Sequence, residues 1–385
     1  MTDTDLHDAL RAGVRALCER YPGSYWRDLD ERRAYPEGFV RAMTEAGYLS
    51  ALIPPEYGGG GLGVTEASII LEEVNRSGGN AGACHAQMYT MGTVLRHGSE
   101  EQKRRYLAEI AKGSLRLQSF GVTEPDAGSD TLSISTSAVR DGDVYIVNGQ
   151  KIWNSRAEYS DLMLLLVRTT PKAEVQRRTE GLSVFLVEIR SSLGKGLTIQ
   201  PIKTMLNHFT TQVFFEDLQV PAENLVGEEG QGFRYILDGM NAERVLIAAE
   251  CIGDGDWFIE KATAYAKGRQ VFGRPIGQNQ GVQFPIAQAY ARIRAADLMR
   301  YKAAALFDAG QPCGPEANMA KLLGAEASWE AANVCLQTHG GFGFAREFDI
   351  ERKFRETRLY QVAPVSTNLI LAYLGQNVLG MPRSY

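Results

Sequence analysis

Hydrophobic and polar positions change their period twice along the chain. Up to about residue 117 the apolar residues recur at helical spacing, with few β-branched runs and with loops at 53–63 and 76–82. From about 118 to 220 the pattern alternates instead. LSISTSAVR, an Asp-Gly-Asp turn at 141–143 and then VYIV predict a β-hairpin, and 162–168 (LMLLLVR), 182–188 (LSVFLVE) and 211–216 (TQVFFE) predict further strands. From Gly230 the helical period returns and holds to the end, with breaks at 273–281, 310–315, 340–343 and Pro364. This order predicts an α+β fold that is mostly α. A helical domain covers 1–117, a small β-domain, expected to be barrel-like, covers 118–228, and a second helical domain covers 229–385.

Composition narrows the class. The 385 residues are 44% hydrophobic and 23% charged, ordinary for a soluble enzyme with a sizeable core. A net charge of −5 leaves no extended basic surface of the kind that holds nucleic acid. No stretch approaches the apolar length of a membrane span, and the acidic opening MTDTDLHDAL reads as neither a secretory signal nor a transit peptide. The five cysteines, Cys18, Cys84, Cys251, Cys313 and Cys335, are odd in number and scattered, as expected of reduced, mostly buried residues in a cytoplasmic protein.

Several sharp readings fail. GGGGLG at 58–63 formally fits a dinucleotide fingerprint, but it follows Pro54-Pro55 rather than a strand and reads as a loop. The histidines His7, His85, His97, His208 and His339 have no metal-ligand spacing, so no metal is expected. Two segments carry more. TEPDAGSD, Thr123 to Asp130, is a loop of small and turn-forming residues whose backbone N–H groups suit an anionic or heteroaromatic ligand, though an ordinary hairpin approach fits it too. In NGQKIWNS, strand alternation puts Trp153 and Ser155 on one face. An aromatic plate beside a hydroxyl suits a planar polar ring, and Trp153 as plain core is equally consistent.

These two segments, with FFEDLQVPAENLVGEEGQGF at 214–233, RQVFGRPIGQNQ at 269–280 and QTHGGFGF at 337–344, occur in the order in which they occur in the acyl-CoA dehydrogenase family, which the chain resembles over nearly its whole length. The resemblance implies an FAD enzyme that oxidises the α–β bond of an acyl-CoA, with a C-terminal four-helix bundle, assembly as a homotetramer (a dimer of dimers) and electron-transferring flavoprotein as partner. It implies flavin contacts from Val122, Thr123 and Ser129, a flanking Trp153, and a Ser155 hydroxyl that reaches flavin N5. Arg269, Phe272, Gln280, Gln337, Gly340 and Gly341 match positions that hold the adenosine diphosphate half, largely from a neighbouring subunit. Ser366 and Asn368 open a helix whose amide donors lie near the cofactor. Substrate contacts are implied for Ser129, Asn241, Arg244 and Ala363.

The α-proton needs a carboxylate base in a dry site, because burial raises a carboxylate's pKa and strengthens it as a base. Much of the family carries this Glu after a Tyr-Gln pair. Here Tyr360-Gln361 is followed by Val362-Ala363-Pro364, and the expected position is proline. Isovaleryl- and long-chain-type relatives place the base earlier, at the position of Glu243. On a helical wheel Phe233, Ile236, Met240 and Ile247 form one stripe with Glu243 at its edge. Arg244 lies on the same stripe, so the residues alone leave Glu243 as base and Glu243 as ion-pair partner both open. Proline also has no N–H to hold the thioester oxygen. Either Val365 supplies one or the loop is shifted by a residue. The rival functions are a flavin monooxygenase or oxidase of the same fold, and a non-catalytic flavin-binding subunit.

Overall fold

The computed structural model describes residues 3 to 383, so residues 1, 2, 384 and 385 of the expected domain spans lie outside the described residues. The chain divides into two compact units. One, the helical unit, is built from residues 1–34, 63–81 and 241–385; the other, the sheet unit, from 35–62 and 82–240.

The sheet unit holds eight strands: β1 (Leu117–Gly121), β2 (Ser137–Asp141), β3 (Val144–Ile152), β4 (Leu162–Arg168), β5 (Leu182–Glu188), β6 (Leu197–Pro201), β7 (Thr211–Pro221) and β8 (Leu225–Val226). Their order is β6-β7-β3-β2-β4-β5-β8, with β1 parallel to β4. The terminal strands β6 and β8 do not pair, so the sheet stays open and the barrel-like expectation is corrected. A single parallel pair, Ser137 with Arg168, joins β2 to β4. The LMLLLVR run is continuous because β4 is buried on both faces. Leu162, Leu164 and Leu166 enter one core with Met91 and Val94 of the Gly82–His97 helix, while Met163, Leu165 and Val167 enter another with Tyr145, Val147, Val213 and Phe215. Gly149 sits at a bulge between β3 and β7 with φ +142°, and a Cβ there would fall 2.7 Å from the Thr136 Cα, so only glycine fits.

In the helical unit Gln280–Asp308 and Gly314–His339 pack as an antiparallel pair, followed by Ile350–Arg358 and Thr367–Tyr373. The Gly232–Gly268 helix enters this unit at Asn241. From 245 to 258 every residue on it is buried. Burial all round befits a helix inside a bundle, whereas over 233–244, where the stripe was expected, Arg234, Leu237 and Asp238 are exposed and Ile236 and Glu243 are buried. Close approach to the Val64–Arg76 helix needs Gly253, where a Cβ would lie 2.2 Å from the Glu72 carbonyl oxygen. Arg300, fully buried, ties that helix to Gln280–Asp308 by donating to Ser68 Oγ (2.9 Å) and Glu72 Oε2 (2.6 Å). No helix among the described residues is long and apolar enough to cross a membrane. All five cysteines are free and buried, as expected.

Candidate active site

In the sheet unit, one buried ion pair joins the two segments singled out by sequence. Lys151 on β3 is fully buried, and its Nζ donates to Val122 O (2.9 Å) and Glu124 Oε1 (2.8 Å). The Glu124 carboxylate also accepts from Ser135 N (2.6 Å), Ser135 Oγ (2.9 Å) and Thr136 N (2.9 Å). Burial works against its charge, but Lys151 and these donors outweigh burial and hold it at about 2. The Ile152 N–H donates to Thr123 O (2.9 Å), and Glu124 and Ala127 exchange backbone bonds of 3.2 and 3.1 Å that close the loop. Val122 and Thr123 are thus fixed beside the end of β3, while Ser129 stands exposed at the tip of the loop.

Strand β3 ends at Ile152, one residue before Trp153, which corrects the expectation that Trp153 and Ser155 alternate on a strand. Trp153 has φ +62° and Arg156 has φ +64°, left-handed conformations that turn the chain out of the ladder. Trp153 is 55% exposed, so it is not plain core. Trp153 is thus a large aromatic held open in a strained backbone, with Ser155 two residues on. Lys151 and Glu124 went unnoticed in the sequence. The available signal was a lysine inside an otherwise strand-like NGQKIW.

In the helical unit, Glu243 is 5% exposed. Its neighbour Arg244 donates from Nη1 to Asn241 Oδ1 (2.9 Å), and Arg244 Nε is buried without a hydrogen-bond partner among the described residues. Burial lowers the Arg244 pKa and Glu243 opposes that shift, so the two side chains sense each other. Ile247 and Cys251, one and two turns on from Glu243, pack with Ala325 and Tyr360. Tyr360 opens the turn that carries half-buried Ala363 and Pro364. The Val365 N–H beyond Pro364 donates to no protein acceptor among the described residues. Ser366 caps the Thr367–Tyr373 helix through its Oγ, which accepts from Leu369 N, and Asn368 is exposed.

The remaining candidates form a second group in this unit. Tyr265 packs against His339 at 4.1 Å between ring centroids, bringing the end of the Gly232–Gly268 helix to the 340–344 turn. Arg269, Gln280, Gln337, Gly340 and Gly341 are exposed there, and Phe272 is 100% exposed with φ +51°. A Cβ added at Gly340 or Gly341 would meet nothing within 4 Å. This group is not brought to Glu243. Residues 243 and 269 lie 26 positions apart, roughly 39 Å at helical rise. A cleft of about 500 Å³ on the sheet unit, lined by Arg105, Glu188, Lys195 and Glu223 among others, contains none of the candidate residues. Among the described residues no His, Cys, Asp and Glu gather as a metal site.

Three family models match the chain in order: the N-terminal domain of acyl-CoA dehydrogenase over residues 4–114, the middle domain over 119–218 and the C-terminal domain over 230–377. An acyl-CoA dehydrogenase of Mycobacterium bovis is 34% identical over 395 residues, covering all of both chains. The cyclohex-1-ene-1-carbonyl-CoA dehydrogenase of Syntrophus aciditrophicus is 33% identical over 98% of this chain and 90% of its own. Among solved structures, glutaryl-coenzyme A dehydrogenase in complex with glutaryl-CoA superposes with a TM-score of 0.92 at 30% identity, covering 100% of this chain and 97% of that one.

Proposed function

Because the chain belongs to the acyl-CoA dehydrogenase family, we propose that it desaturates the α–β bond of an acyl-CoA with Glu243 as the base for the α-proton. It is an FAD-dependent oxidoreductase acting on CH–CH bonds. The observation that carries the reading of Glu243 is its burial on a helix that packs against the 360–365 turn, in a chain whose position 364 offers no carboxylate. A dry carboxylate is a stronger base than a solvated one.

The side chains fit FAD. Trp153 is an open aromatic face, Phe272 is wholly exposed, and the Gly340-Gly341 turn leaves room for a ligand to lie against its backbone. In the sheet unit, Val122, Thr123, Ser129, Trp153 and Ser155 would hold the flavin half; in the helical unit, Ser366 and Asn368 are the cofactor contacts proposed at the helix that follows the turn. Arg269, Phe272, Gln280, Gln337, Gly340 and Gly341 would hold the adenosine diphosphate half. The span of roughly 39 Å along the helix between Glu243 and Arg269 is longer than one dinucleotide reaches, so this second group serves the flavin of another copy, in keeping with a dimer of dimers. FAD, when bound, supplies the acceptor for the hydride that leaves the β-carbon.

The chain's own residues do the rest. Glu243 removes the α-proton. Asn241 holds Arg244, and Arg244 keeps a positive charge beside Glu243. Pro364 has no N–H, so the Val365 N–H takes the thioester oxygen as charge builds on it. Ala363 and Pro364 leave space beside the α- and β-carbons for branched or bulky acyl groups. Electrons then pass to electron-transferring flavoprotein. Mixing the holoenzyme without air with isobutyryl-, isovaleryl- and octanoyl-CoA tests the reading. Bleaching of the flavin, fastest with the branched thioesters, is expected. A preference for short straight chains contradicts the account of Ala363, and no bleaching with any thioester contradicts the dehydrogenase itself.

A further inference from the structure

A buried lysine on a third helix binds both ends of the turn that replaces the family's usual base. Lys321, 1% exposed on Gly314–His339, donates from Nζ to Tyr360 O (2.6 Å) and Val365 O (2.7 Å). Burial lowers this ammonium to about 8, with Arg244 adding to the fall and Cys251 and Glu243 opposing it, so at neutral pH it stays protonated with three donors. Two of them go to backbone carbonyls that bracket Gln361, Val362, Ala363 and Pro364. Charge-assisted bonds of this length in a dry setting are strong, and each buried carbonyl deprived of its donor is costly.

The turn is also anchored from its first residue. The Tyr360 hydroxyl donates to Glu250 Oε2 (2.9 Å) and accepts from Asn75 Nδ2 (3.1 Å). Glu250 stands two turns beyond Glu243 on the same helix, and Tyr360 packs with Ile247 and Cys251 of that helix. That side-chain anchor ends at Tyr360. Without Lys321, no bond to Val365 O would tie the far end of the turn to the helices, and the far end carries the Val365 N–H.

We propose that Lys321 is a positioning residue for the reaction: one ammonium gathers Tyr360 O and Val365 O, and thereby sets the Val365 N–H and the Ala363-Pro364 wall in register with Glu243. This rests on the dehydrogenase reading above. It assigns to Lys321 no contact with substrate or flavin, and it distinguishes a lysine that aligns the turn from one that merely satisfies two carbonyls for stability.

The test uses FAD-loaded wild type, Lys321→Met, Lys321→Gln and Lys321→Arg, with amide hydrogen exchange over residues 360–366 and anaerobic flavin reduction by the best acyl-CoA. In Lys321→Met, faster exchange confined to this segment is expected, with a limiting reduction rate down by about tenfold to a hundredfold, the scale of a misplaced reacting group. The fall should appear mainly in the limiting rate rather than in half-saturation, because Lys321 itself is assigned no contact with substrate. Lys321→Arg should restore most of the rate, and Lys321→Gln should fall between. If Lys321→Met does not fold, Lys321→Gln carries the same readings. Normal reduction rates in Lys321→Met or Lys321→Gln, whether or not exchange rises or the melting temperature falls, overturn the positioning role alone. A wild type that no acyl-CoA reduces overturns the dehydrogenase reading, and the positioning role with it.

Discussion

At the scale of single residues, the Lys151–Glu124 pair decides whether the loop from Val122 to Ala127 exists in one shape. Both partners are buried, at 0% and 5% exposure, and one of them also holds the Val122 carbonyl. Removing one member of such a pair strands the other, at a cost of about 3 to 5 kcal/mol. Lys151→Met is therefore expected to lose about that much stability at pH 7 in urea unfolding and to purify with less FAD per chain. The pH dependence follows from the sign of the shift. Glu124 is held at about 2, below its ordinary 4.5. It therefore contributes stability that is complete above pH 4.5 and disappears as the pH falls towards 2. Wild type and Lys151→Met should thus converge in stability as the medium is acidified. An equal gap at pH 7 and pH 3 would contradict the pair's role.

At the scale of elements, the Ile350–Arg358 helix is fastened by a second buried pair. Lys353 forms an ion pair with Asp254 of the Gly232–Gly268 helix and donates to Gly79 O (2.8 Å). Burial pushes Asp254 up to about 7, with Lys353 opposing. Lys353→Met would leave that carboxyl without its cation, and a loss of about 3 to 5 kcal/mol is expected. A change under about 1 kcal/mol would mean that Asp254 simply takes up a proton. Such pairs also mark where sequence reading stops. The strands at 162–168 and 182–188 were legible because runs of four or more apolar residues between turn signals have few alternatives. Strands β1, β6 and β8 were not, since LQSFG, LTIQP and LV are short and take their strand character from pairing partners far along the chain. Trp153 was expected on a strand and lies just past its end, because alternation cannot foresee a left-handed residue. Glu124 and Lys151 lie 27 positions apart, a separation that no periodicity links.

At the scale of the whole molecule, the site proposed here is incomplete in one chain. The Arg269 group and the Glu243 group stand 26 positions apart along one helix and its end, so FAD binding and assembly should rise and fall together. Arg269→Ala is expected to lower both FAD per chain, read from the flavin absorbance, and the oligomer mass, read by sedimentation. Loss of neither would show that Arg269 holds no cofactor in either copy. The family's ordered segments named the residues of both groups as candidates, but their separation emerges only from the unbroken run of Gly232–Gly268.

The most direct measurement is anaerobic stopped-flow reduction of the flavin in Glu243→Gln, with its melting temperature beside it. Glutamine is nearly isosteric, so a folded, yellow protein that binds acyl-CoA and reduces its flavin about a hundredfold to ten-thousandfold more slowly is expected for the loss of a general base. If Glu243 only pairs with Arg244, the variant will instead be less stable yet reduce its flavin at the wild-type rate, and the assignment of Glu243 as the base will be wrong.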